Sequence, residues 1–198
     1  MGSAATRWPA LRPSSVSGDV TVISGPTAVG KGTVVQALRA QHPEVWVSVS
    51  ATTRAPRPTE VDGVHYNFVS TSEFDELVAT DGLLEWAVVH GVDRYGTPAA
   101  PVRAAVAAGR RVILEIEVQG ARQVKQRLPE VRTVFIAPPS WQTLKDRLVG
   151  RGTETAEQMA RRLRTAETEL ALAAEFDHVV VNDDLGRAVA ELVELLGL

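Results

Sequence analysis

The segment Gly25-Pro26-Thr27-Ala28-Val29-Gly30-Lys31-Gly32-Thr33 constrains this chain more than any other stretch, because its flanks dictate how the rest must be arranged. Before it, Val20, Val22 and Ile23 are β-branched and apolar, as a strand buried in a sheet requires. After it, Val34, Val35, Ala37 and Leu38 recur at helical spacing. A glycine-rich turn between strand and helix points backbone N–H groups inward at a helix N-terminus, whose partial positive charge suits phosphate. Lys31 then reaches the outer phosphates, while Gly32 stands where the strict pattern has a magnesium-holding hydroxyl, which Thr33 carries one place later. A loop that only caps a helix is the plainer reading, and the lysine with both flanks weighs against it.

The rest of the chain repeats that rhythm. Strands are expected at Val45–Ser50, Tyr66–Val69, Leu83–Val89, Val112–Ile116, Val131–Ala137 and His178–Val181. Helices are expected after Ser72 as N-cap, then at Pro98–Ala108, Ala121–Leu128, Trp141–Leu148 capped by Ser140, Ala156–Ala174 and Leu185–Leu196. Residues 91–96 read as a turn. Apolar strands alternating with helices give an α/β fold, a parallel sheet with helices on both faces. At 198 residues this is one domain, with residues 1–18 as a flexible leader. Within the domain (19–198), the core takes in about 19–51, 98–146 and 163–198, and the segments that break the rhythm are 52–97 and 147–162. Insertions at the carboxyl ends of such strands serve as walls and lids.

Composition excludes several classes. A net charge of −3 carries no footprint of nucleic-acid binding, and the absence of cysteine removes disulfides, thiolate metal sites and a cysteine nucleophile. That usage suits the cytoplasm, and no apolar run approaches the roughly 20 residues of a membrane span. The four histidines share no metal-ligand spacing, so they read as structural and no protein metal site is expected.

Three constellations carry chemistry. Arg54 and Arg57 stand in a proline-stiffened loop, where two guanidiniums make a clamp for a phosphate or simply a solvated surface. Arg147, Arg151, Arg161, Arg162 and Arg164 crowd the second irregular segment, where phosphoryl transfer would use positive charge. Some of these are ordinary helix-surface charge, with Glu157, Glu167, Glu169 and Glu175 as partners. Glu85 interrupts the apolar run Leu83 to Val88. It faces water on an edge strand, or it is buried and must find donors; guanine supplies two adjacent ones at N1 and its 2-amino group, and adenine does not. Glu115 and Glu117 close another strand on one face.

These motifs together resemble the guanylate kinases from about Val20 onward: the loop Gly25 to Thr33, Ser48-Val49-Ser50-Ala51-Thr52-Thr53-Arg54-Ala55-Pro56-Arg57, Val61 to Phe68, Leu84-Glu85-Trp86-Ala87, Tyr95-Gly96-Thr97, Ala137-Pro138-Pro139-Ser140, Gly150 to Thr155 and Val181-Asn182-Asp183-Asp184. The resemblance implies a P-loop nucleoside monophosphate kinase fold, with 52–97 as a GMP-binding insertion and 147–162 as an arginine-rich lid. It implies transfer of the γ-phosphoryl group of ATP to GMP, with magnesium held mainly by ATP phosphates and water. By the same resemblance, Gly25, Pro26, Thr27, Ala28, Val29, Gly30, Lys31, Gly32, Thr33 and Asn182 bind ATP. Ser50, Arg54, Arg57, Tyr66, Glu85, Tyr95, Thr97 and Glu117 bind GMP, and Lys31, Arg147, Arg151 and Arg162 surround the transferring group. The chain departs from the family's pattern at Gly32, where serine is more usual, and at Glu115 and Glu117, where aspartates are common. A catalytically inactive relative that uses the same cleft to bind protein is the alternative; retention of Lys31 and the lid arginines argues against it.

Overall fold

The computed structural model describes residues 20–89, 92–150 and 156–198. In chain order the elements begin with β1 (Val20–Ser24), α1 (Lys31–Gln41), β2 (Trp46–Val47), β3 (Ala51–Thr52), β4 (Asn67–Phe68) and α2 (Thr71–Ala79). Next come β5 (Leu83–Val89), β6 (Asp93–Pro98), α3 (Ala99–Ala107), β7 (Val112–Glu115), α4 (Val118–Arg127) and β8 (Arg132–Ala137). The chain ends with α5 (Trp141–Val149), α6 (Ala156–Ala171), a 3-10 turn (Ala173–Glu175), β9 (His178–Val181) and α7 (Leu185–Leu196).

Five strands form a parallel sheet in the order β2-β7-β1-β8-β9. Every residue of β1 is buried, which is why that strand is apolar without alternation. Its successive side chains go to opposite faces. Ile23, with Ile113 and Val134, packs under α1, α5, α6 and α7 through Leu38, Leu144, Leu148, Ala166 and Leu192. Val20 and Val22, with Leu114, pack under α3 and α4 through Val102, Ala121 and Val124. The phosphate loop therefore leaves the carboxyl end of the central strand, held from both sides.

A second, four-stranded sheet in the order β4-β3-β6-β5 is built from the segment that breaks the rhythm, extended by one residue at each end to Ala51 and Pro98. β3 and β5 each pair antiparallel with β6, and Phe74 of α2 closes a small core with Ala51 and Leu83.

Four expectations need correcting. The strand expected over 45–50 is shorter, because the chain passes from one sheet to the other there: the Ser48 N–H donates to Ile113 of the first sheet, and the Ser50 carbonyl accepts from Asn67 of the second. The turn expected over 91–96 gives way to a strand from Asp93 onward, since β6 is gripped between β3 and β5. Gly96 permits that grip, as a Cβ there would lie 2.9 Å from the Glu85 carbonyl oxygen. Helix α2 is capped by Ser70 rather than Ser72, in a reciprocal capping box with Glu73. Helix α4 starts at Val118, directly after β7, ahead of the expected Ala121.

Candidate active site

The phosphate loop is shaped by residues that tolerate positive φ and close neighbours. Gly30 has φ 92°, and a Cβ on it would come within 2.6 Å of Asn182 Nδ2. A Cβ on Gly25 would strike the Ile136 carbonyl oxygen at 2.4 Å, so the loop lies flat against β8. Helix α1 has no side-chain cap and no acid in its first turn, so its leading N–H groups stay available to an anion. Lys31 Nζ lies 3.4 Å from the Gly25 carbonyl oxygen and 3.9 Å from Glu117 Oε1, bent back over the loop. From beneath, buried Asn182 donates through Nδ2 to the Val29 carbonyl at 2.8 Å. Arg147 forks, donating to the carbonyls of Val29 and Asn182 at 3.0 Å each. Its guanidinium thus ties the start of the arginine-rich segment to the loop. Arg162 lies half-buried on α6, and Arg151 lies outside the described residues.

The second sheet carries Glu85 on β5. β5 is an edge strand, yet Glu85 is only 5% exposed because α4 packs over that face. The wet-face reading is therefore excluded. The Thr97 hydroxyl donates to Glu85 Oε1 at 2.7 Å. A Cβ on Gly120 would lie 2.4 Å from Oε2, so this glycine makes the space for the carboxylate. Burial foremost pushes the Glu85 carboxyl up to about 7; its bonds to Thr97 pull the other way, and the Glu117 charge adds to the rise. Ser50 lies at the junction of the two sheets, half-buried.

Arg54 is fixed by three acceptors. It donates through Nε to Tyr95 Oη at 2.9 Å, and through its terminal nitrogens to Glu60 at 2.8 Å and the Ala55 carbonyl at 2.7 Å. Its guanidinium lies 5.5 Å from the Tyr66 ring centroid, and the Tyr66 and Tyr95 rings meet edge to face at 5.7 Å. Burial raises the Tyr66 hydroxyl to about 12, and the Arg54 hydrogen bond holds Glu60 down to about 2. Arg57 is exposed at the rim of this cluster, where its backbone N–H donates to Glu60 at 2.7 Å. Glu60 is thus the organiser of the loop.

Two of the acids expected as partners for the arginines of the α6 region stand elsewhere. Glu175 pairs with Arg122 of α4, and Glu169 turns inward to face the Thr27 backbone N–H, its Oε2 buried without a hydrogen-bond partner. Burial, and then the Glu117 charge, raises Glu169 to about 7. The sequence does hold a signal in its spacing: Glu169 comes one turn after Ala166 and directly before Leu170, beside the apolar stripe of α6. A cleft of about 410 Å³ opens beside Thr27, Val89, Glu117, Arg161 and Glu169, between loop, second sheet and α6.

Comparison with known proteins agrees with this geometry. The guanylate kinase family model matches residues 17–197. A guanylate kinase of Cutibacterium acnes is 62% identical over 179 residues, covering 90% of each chain. One of a Mycobacterium species is 59% identical over 180 residues, covering 90% of this chain and 91% of the other. The crystal structure of guanylate kinase from Anaplasma phagocytophilum superposes with a TM-score of 0.73 at 30% identity, covering 90% of this chain and 83% of that one. The phosphate loop braced by Asn182 and Arg147, facing a buried carboxylate on a separate sheet, thus belongs to a member of the guanylate kinase family.

Proposed function

We propose that this protein transfers the γ-phosphoryl group of ATP to GMP, giving ADP and GDP, and that its two sheets divide the work. The observation that carries the reading is Glu85, an acid buried beside Thr97 where α4 packs over the second sheet. With its carboxyl raised to about 7, it gains most from a ligand that supplies paired N–H donors, as guanine does through N1 and the 2-amino group. Ser50 and Thr97 complete the base contacts, and Glu117 stands beside the bound nucleotide. Arg54, Arg57, Tyr66 and Tyr95 take the GMP phosphate; the aromatic rings and Glu60 hold Arg54 ready, so little freedom is lost on binding.

The loop Gly25 to Thr33 cradles the ATP phosphates, with Asn182 fixing its floor. Lys31, Arg147, Arg151 and Arg162 surround the transferring group. The acceptor oxygen belongs to a phosphate that is already anionic near neutral pH, so no general base is needed. Catalysis is then alignment plus neutralisation of charge. Magnesium, bound to the ATP phosphates and water, supplies part of that neutralisation. Among the described residues no group of three or more histidines, aspartates or glutamates could hold a metal ion. In domain terms, residues 52–97 act as the GMP-binding part and 147–162 as a lid over the core, excluding water. No helix among the described residues is long and apolar enough to cross a membrane, and a cytoplasmic setting would provide both substrates.

A coupled assay tests the reading: GMP with ATP and magnesium yields GDP, and AMP yields little. A folded protein that leaves GMP unphosphorylated would overturn it. Retention of Lys31 and Arg147 at the loop speaks against the inactive protein-binding alternative.

A further inference from the structure

Strand alternation alone would turn Glu85 away from α4. Successive side chains of a strand go to opposite faces, and Leu83 packs with Phe74 and Ala51 on the α2 side of the second sheet. Glu85, two places on, would follow it. Instead Leu84 and Glu85 both turn toward α4: Leu84 joins the core with Ala121 and Val124, and Glu85 Oε2 lies over Gly120. Trp86 then resumes the other face, its ring meeting Phe74 at 6.3 Å. The cause lies in the ladder with β6. Leu83 pairs with Pro98 and Trp86 with Gly96, so Leu84 and Glu85 stand together against Thr97 alone. This is a β-bulge, which bends a strand and re-aims a side chain. Here it sends the carboxylate to the Thr97 hydroxyl.

β5 is the last strand of its sheet, and Gln123 fills its outer edge. The Gln123 Oε1 accepts from the Trp86 N–H at 3.2 Å, and Nε2 donates to the Trp86 carbonyl at 2.7 Å, a two-point pairing like that of a neighbouring strand. Trp86 directly follows the bulge, and Gln123 comes one turn after Gly120 on α4. One helix face therefore supplies both the space for the Glu85 carboxylate and the clamp on the strand that carries it. The clamp matters because a one-residue slip would move Glu85 to the other face.

We infer that Gln123 is a positioning residue for base selection, acting through the Trp86 backbone to lock the bulge that aims Glu85 at guanine. The inference rests on the reading of Glu85 as the acid that takes guanine N1–H and the 2-amino group. The test replaces Gln123 by methionine, which keeps the length and loses both hydrogen bonds. It compares GMP with IMP, a nucleotide that keeps N1–H and lacks the 2-amino group. KM for GMP should rise about tenfold and KM for IMP about threefold, since guanine draws on two bonds to Glu85 and the IMP base on one. KM for ATP should stay level, and the Trp86 amide should exchange faster with deuterium. Equal rises for GMP and IMP, or no rise for GMP, would overturn the inference. In a Glu85→Gln background the same change should add less than about twofold, because no carboxylate is left to aim. A full tenfold rise there would also overturn it. If Glu85→Gln alone leaves KM for GMP unchanged, the base-reading assignment fails and takes the inference with it. Thermal melting checks folding. Should Gln123→Met not fold, Gln123→Glu keeps the acceptor for the Trp86 N–H and loses the donor; it should narrow the preference for GMP over IMP in the same direction, and an unchanged preference would overturn the inference.

Discussion

Replacing Glu85 by glutamine separates recognition from stability, because the two should move in opposite directions. In the unliganded protein Oε1 accepts from Thr97 at 2.7 Å and Oε2 lies over Gly120, so an amide of nearly the same shape fits without a cavity. Against guanine it fails. The carboxylate can accept from both N1–H and the 2-amino group, whereas the amide keeps one acceptor and turns its own N–H groups toward a donor. Hydrogen bonds to charged groups contribute about 1.5 to 3 kcal/mol each, so losing one and the charge of the other costs about 3 kcal/mol, or roughly a hundredfold in KM for GMP. KM for ATP should not move. Stability runs the other way. The folded carboxyl titrates near 7 against an ordinary 4.5, so its contribution is fully present below 4.5 and is lost as pH rises through 7. The uncharged amide escapes that loss, and Glu85→Gln should be more stable at pH 8 by up to about 3 kcal/mol, with no advantage near pH 4. Binding also needs the ionised form, so KM for GMP should rise about tenfold between pH 8 and pH 6 in the unaltered protein. The variant serves as the control that subtracts titration of the GMP phosphate. Steady-state kinetics at three pH values with denaturant melts suffice. An unchanged KM for GMP, or a variant less stable at pH 8, would refute the assignment of a buried, desolvated base-reading acid.

Gly120→Ala should reproduce the recognition defect without touching the carboxylate's chemistry: its Cβ would fall 2.4 Å from Glu85 Oε2, and KM for GMP should rise at least about tenfold with KM for ATP unmoved. Tyr95→Phe removes the oxygen that Arg54 Nε donates to at 2.9 Å, leaving a half-buried guanidinium N–H without that partner; steady-state assays should show KM for GMP up about fivefold to tenfold and kcat changed less. For Glu169→Gln, the carboxyl is raised to about 7 chiefly by burial, so the stabilising neutral form is lost between about 4.5 and 7 as pH rises. The variant should therefore melt higher than the unaltered protein at pH 8 and equally at pH 4.5; an equal melting temperature at pH 8 would mean that Glu169 is solvated.

What could be read from the sequence is what local patterning controls. β1, β5, β8 and β9 are apolar runs in or beside the core, and Ser140 caps α5 as its place before Trp141 implies. The capping box of α2 was also written in the chain as Ser70 followed three residues later by Glu73, although a second serine at Ser72 competes for the role. β6 was not readable, because Asp93, Arg94, Tyr95 and Thr97 have no strand pattern of their own; the side chains of Arg94, Tyr95 and Thr97 serve Asp75, Arg54 and Glu85, and the ladder to β3 and β5 imposes the conformation. The same limit governs the site. Glu85 and Gly32 each announced themselves, one as an acid in an apolar run and the other as a missing hydroxyl, but neither named its partner. Gly120 meets the first from α4, which packs over it, and Glu115 meets the second from the strand beside β1. Gly120 is invisible to pattern because it contributes through an absent methyl group, and Glu115 shows as an acid at a strand end without showing what it stands over. In a close-packed interior such contacts decide where a charged oxygen can stand. Where a charged oxygen stands in this fold is thus set by pairs of residues, and a substitution at either member should be judged against the other.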